Sequence, residues 1–159
     1  MADKNLKYFM RPEAKEEKII EIPGPDTIRD EKGEVVKLQV RQLHNDKILE
    51  IHSMYKTKAP LKDKKGNYVV QGGQVVFRVE TDTEKANRRL LVEALAYPDL
   101  KNEELMKYFD CLEITDMPLK VFATSDEFKY VQKKVFEAIG ILDAEEDSVK
   151  KETEDAKNS

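Results

Sequence analysis

The sequence predicts an α+β fold, mainly helical in its C-terminal half, with short β-hairpins in its N-terminal half. Three observations carry that expectation. Breaker-rich, β-branched pieces fill the chain before residue 44, and a Gly72-Gly73 pair separates two strand-like runs. Beyond residue 80, apolar residues recur at helical spacing behind capping residues. A chain of 159 residues suits one ordinary domain. We place that domain over 18–142, between a flexible N-terminal arm, 1–17, and a disordered acidic tail, 143–159. No internal repeat is legible in the sequence.

Element by element, the chain starts extended, with the breaker run Ile22-Pro23-Gly24-Pro25 after residues 18–21. Val36, Leu38 and Val40 alternate with Lys37, Gln39 and Arg41, the period of a half-buried strand. Asp30-Glu31-Lys32-Gly33 is a turn, across which 27–29 pairs back. Ile48, Ile51, His52 and Tyr55 then share one helix face, capped by Asn45 and stopping before Ala59-Pro60. Residues 56–65, rich in lysine, read as a solvated loop. Runs 68–71 and 74–80 flank Gly72-Gly73 as a hairpin, because a two-residue turn needs the positive φ angles that glycine adopts freely.

The second half predicts helices over 82–96, 102–110 and 125–139. Thr81 and Glu84 have capping-box spacing, Leu90, Leu91, Ala94 and Leu95 form the inner stripe, and Tyr97-Pro98 ends it. Asn102 caps the next helix, whose first turn carries Glu103 and Glu104 and whose inner face is Leu105, Met106 and Phe109. A short turn around Pro118 follows. Thr124 and Glu127 then open the last helix, with Phe128, Val131, Val135, Phe136 and Ile139 inward and Gly140-Ile141 as its stop.

Composition narrows function mainly by exclusion. The formal charge of −4 is concentrated beyond residue 142, where seven acidic residues from Asp143 to Asp155 face Lys150, Lys151 and Lys157. The rest is formally neutral, so no global field draws nucleic acid or an anionic membrane. Charged residues at 38% imply a densely charged surface. Cys111 stands alone, is read as a core thiol, and fits a reducing cytoplasm. No run approaches the ~20 apolar residues of a membrane span.

Catalysis needs several suitable groups that converge, and the inventory offers few. His44 and His52 lie eight apart, about 12 Å along a helix, too far to share a metal. The nucleotide, zinc and nucleophile-elbow motifs are missing, and the pairs Glu16-Glu17 and Glu103-Glu104 read as solvated helix starts. The expectation is a protein that is not an enzyme, uses no metal or cofactor, and binds other proteins. The apolar residues Leu6, Phe9 and Met10 of the arm either dock on the domain, the favoured arrangement, or meet a partner.

The run from Leu91 to Leu105, Leu-Val-Glu-Ala-Leu-Ala-Tyr-Pro-Asp-Leu-Lys-Asn-Glu-Glu-Leu, resembles the central motif of the XkdN-like tail assembly chaperones of tailed phages and Gram-positive prophages. In that family a helix of the Leu-Val-x-Ala type ends at Pro-Asp-Leu, and a second begins with an acidic residue before Leu. Asn5-Leu6, Phe9-Met10, the Ile28-Arg29-Asp30-Glu31-Lys32-Gly33 segment, the strand ending near Arg41-Gln42-Leu43 and the closing Gly140 follow in the same order, so the resemblance spans about 5–142. Two departures stand out. The closing helix opens Ala123-Thr124-Ser125-Asp126-Glu127-Phe128 where the family has an apolar-Pro-Gly-Glu-Tyr segment, and the hairpin over 68–80 is longer than usual.

The resemblance implies a small chaperone of the host cytoplasm, absent from the finished virion, that binds the tape measure protein and helps recruit tail tube subunits. The alternative is another phage or bacterial interaction adaptor without catalytic activity. Nucleic acid and membrane are not expected partners, and self-association is left open. The candidate partner-binding residues are Leu6, Phe9, Met10, Leu91, Leu95, Leu105 and Phe128.

Overall fold

A computed structural model describes residues 4–12 and 17–141; the expected acidic tail, 143–159, lies outside the described residues. Strand β1 (Ile19–Pro23) pairs antiparallel with β2 (Lys37–Arg41), setting Ile20 opposite Val40 and Ile22 opposite Leu38. Opposed residues share a face, so these four form one apolar face. Leu38 and Val40 are completely buried, while the alternate residues Lys37 and Gln39 are exposed. The predicted turn closes through Asp30 Oδ1, which accepts from the N–H groups of Lys32 and Glu34 at 2.9 and 3.0 Å. Gly24 sits against β2 so closely that a Cβ would lie 2.1 Å from the Val36 oxygen.

Helix α1 (Asn45–Met54) has its cap one residue earlier than predicted: His44 holds the extended N-cap conformation, and Asn45 is already helical. Strand β3 (Lys56–Pro60) then replaces the expected lysine-rich loop and pairs with β6 (Phe77–Thr81). Lys56 and Lys58 alternate with Thr57 and Ala59, and this period of two outweighs the poor strand propensity of lysine. Between them, β4 (Val70–Gln71) and β5 (Gln74–Val75) form the predicted Gly72-Gly73 hairpin, with φ of +58° and +80° at the glycines. Leu61, Val69 and Val76 are joined in a ring of backbone hydrogen bonds of 2.8 to 2.9 Å where the two hairpins meet. Residues 56–81 thus form a continuous β-arm between α1 and the helix that follows.

That helix, α2 (Thr83–Ala94), is capped by Asp82, whose side chain accepts from Lys85 N–H at 3.2 Å. Thr81, the predicted cap, is occupied in β6 opposite Lys56. Nor does α2 reach residue 96. Leu95–Tyr97 becomes β7 and pairs with β2, completing a sheet of order β1-β2-β7. Residues just before Pro98 resist helical backbone, and the free edge of β2 gives their N–H and C=O groups partners.

The remaining elements are close to expectation. Asn102 caps α3 (Glu103–Tyr108), and a 3₁₀ turn, Ile114–Asp116, leads into α4 (Met117–Val121) with Pro118 in its first turn. Helix α5 (Ser125–Ile139) starts at the predicted Thr124 cap and ends at Gly140, where Ile141 N–H donates to the Phe136 carbonyl at 2.8 Å. It packs on β1, β2 and α2. Tyr130 Oη donates to the Pro23 carbonyl at 3.2 Å and Thr27 Oγ1 to Glu127 Oε1 at 2.7 Å, fixing α5 to the β1–β2 connection.

The structure also contains a repeat that the sequence conceals. Strand, Asp-x-x-Gly turn, strand and helix occur in that order twice, as β1, Asp30–Gly33, β2, α1 and as β3, Asp63–Gly66, β6, α2, the second with the β4–β5 hairpin inserted between its turn and β6. Asp63 Oδ1 accepts from Lys65 and Asn67 at 2.9 Å, as Asp30 does from Lys32 and Glu34. Gly33 and Gly66 have φ of +81° and +84°.

Candidate interaction surface

The conspicuous motif, residues 91–105, turns out to be architecture. Leu91, Val92, Ala94, Leu95 and Leu100 are all buried in the core. Glu93 is buried with them and is held by two cations: Arg89 Nη2 lies 2.9 Å from Oε1, and Lys101 Nζ 3.1 Å from Oε2. Burial pushes the Glu93 carboxyl pKa up; the Lys101 hydrogen bond and the charges of Lys101 and Arg89 outweigh it and leave the value below the ordinary one. This cluster ties α2 to the loop after the cis Tyr97–Pro98 bond, where Asp99 Oδ1 accepts from Lys101 N–H at 3.0 Å.

Of the predicted contact residues, Leu91 and Leu95 therefore have no surface to offer a partner. Leu105 and Phe128 are half-buried and pack against the core. Phe128 also lines a shallow hollow with Leu119, Phe122 and Thr124, to which Lys129 contributes the one charged side chain. Leu6, Phe9 and Met10 are 68%, 82% and 72% exposed; the first two bound a 3₁₀ turn, Leu6–Phe9, and Met10 follows it. The expected docking of this trio on the domain is not what the structure has. Its backbone is held locally, by Asn5 Oδ1 accepting from Lys7 N–H at 2.9 Å, with no long periodic apolar stripe to seat it.

Two further apolar surfaces escaped the sequence reading. On the β-arm, Tyr68, Val70, Phe77 and Val79 are each more than half exposed. Across β3 and β6, Lys58 lies opposite Val79 and Lys56 opposite Thr81, so basic and apolar groups share that face. Near α3 and α4, Tyr108 and Leu112 are almost fully exposed. The signal for the arm was the alternation within 56–60; for Leu112, no pattern in the sequence marks it.

Chemistry of other kinds finds little support. Cys111 is buried, its Sγ 3.1 Å from the Glu113 carbonyl oxygen, as a core thiol would be. Among the described residues no three metal-ligating side chains gather, and no helix is long and apolar enough to cross a membrane.

Comparisons with known proteins agree with the arrangement. The structure superposes on the crystal structure of the protein yqbn with a TM-score of 0.64 over 88% of this chain and 99% of that one, at 19% identity, which speaks for the fold alone. The phage-like element PBSX protein XkdN of Bacillus subtilis (strain 168) is 24% identical over 163 residues, spanning 99% of this chain and all of the relative. The family model of the phage XkdN-like tail assembly chaperone proteins matches residues 6–157. That match runs past the end of the last helix and takes in most of the acidic segment. With nearly the whole chain matched, the protein belongs to the XkdN-like phage tail assembly chaperone family.

Proposed function

We propose that this chain binds the tape measure protein of its own phage or prophage, keeps it soluble, and helps recruit tail tube subunits around it. Family membership over residues 6–157 carries the reading, since a tail assembly chaperone has tail proteins as its partners. A long tape measure is expected to be helical with extended apolar stripes, which self-associate when uncovered. Covering them takes apolar surface on a highly charged, soluble body. Exposed Leu6, Phe9 and Met10 are the predicted contacts best placed for that work, and the half-buried Leu105 and Phe128 are secondary ones. Co-expression of the chain with its tape measure protein and tail tube subunit, followed by affinity capture, tests the proposal. Co-purification of the tape measure supports it. Capture of neither protein would leave only the generic interaction adaptor.

A further inference from the structure

We propose that the outward face of the β-arm is a docking platform for an acidic, apolar-striped helix of the tail protein that this chain chaperones. The inference rests on the chaperone reading and adds to it both a surface and the chemistry of its occupant. Its basis is the uncovered face of the β3–β6 pair. In the β1–β2 pair, Leu38 and Val40 of β2, with Ile22 and Ile20 opposite, are covered by helix α5. On the arm, Phe77 and Val79 of β6 stand on one face, opposite Pro60 and Lys58 of β3, and they are 57% and 63% exposed. Among the described residues, no helix buries them as α5 buries Leu38 and Val40.

The strand opposite says what kind of helix fits. β3 sets Pro60 and Lys58 across from Phe77 and Val79, with Lys56 one step further along the same face. Residues 56–81 hold six basic side chains against Asp63 and Glu80, a local balance of +4. A second copy of the arm is repelled by that charge, whereas a helix with carboxylates flanking its apolar stripe satisfies both the lysines and the exposed Phe77 and Val79. An uncovered two-stranded ribbon is also marginal alone, so an added layer stabilises it.

The test measures binding of the tape measure protein by the wild-type chain, by a Phe77→Thr/Val79→Thr variant and by a Lys56→Glu/Lys58→Glu variant. Melting temperatures confirm that each variant is folded. We expect each to bind at least about tenfold more weakly, and the lysine variant to lose the salt dependence of the wild type. Wild-type affinity in both variants overturns the platform and leaves the chaperone reading standing; failure of the wild type to bind overturns both. Hydrogen exchange of the arm in the free chain examines the other occupants. If replacing the seven acidic residues of 143–159 by their amides speeds that exchange, the chain's own acidic segment sits on the arm. If Phe77→Thr abolishes a concentration-dependent dimer, a second copy does. Either result overturns the proposal.

Discussion

Glu93 shows how a motif can be conspicuous in sequence and structural in role. Its two oxygens are shared between Arg89 and Lys101, and its side chain is 11% exposed. Removing it as Glu93→Ala leaves two cations without their buried partner and should cost about 1–3 kcal/mol in chemical denaturation. Glu93→Gln keeps an acceptor and should cost less. Because its folded-state pKa is lowered, Glu93 contributes stability that is fully present above the ordinary value of 4.5 and lost as pH falls through the folded value below it. The glutamine variant should therefore lack part of the acid limb of a stability profile; an unchanged profile between about pH 5 and 2 would contradict the clamp. Sequence reasoning identified Leu91 and Leu95 as helix-stripe residues but could not tell partner-facing from core-facing ones, since both require the same apolar side chain. Burial makes that distinction, and it assigns both to the core.

At the scale of elements, legibility followed the strength of local signals. Helix α5 was readable from cap to stop because Thr124, its inner stripe and Gly140 all report on the same few turns. Thr124→Ala removes the acceptor for Glu127 N–H, 3.2 Å away, and should lower stability by about 1 kcal/mol. No change on equilibrium unfolding would show that the cap is idle. Strands β3 and β7 were hidden because their partners, β6 and β2, lie far along the chain, and pairing overrode a lysine-rich composition in one case and a helical stripe in the other. The N-terminal 3₁₀ turn is held by bonds within three residues of itself. Leu6→Ser/Phe9→Ser/Met10→Ser should leave the unfolding free energy within the small range of surface changes, about ±0.5 kcal/mol, while weakening capture of the tape measure. A cooperative loss of stability would mean that the trio packs on the domain.

The whole molecule joins a well-buried core, built from β1-β2-β7, α2 and α5, to projecting apolar surfaces on the N-terminal segment and the β-arm. The fold class was legible because hairpin and helix signals segregate along the chain. The recurring order of strand, turn, strand and helix was not, because the strands differ in composition and the second unit carries the β4–β5 hairpin as an insert. Family membership is consistent with such a division, with stability in one part and surface for tail proteins in the other. The most direct measurement is the soluble fraction of the tape measure protein, expressed with and without this chain and quantified after centrifugation of the lysate. The tape measure is expected to be largely insoluble alone and to move to the supernatant, in a complex, when the chain is present. Equal solubility in both conditions, with no complex recovered, would contradict it.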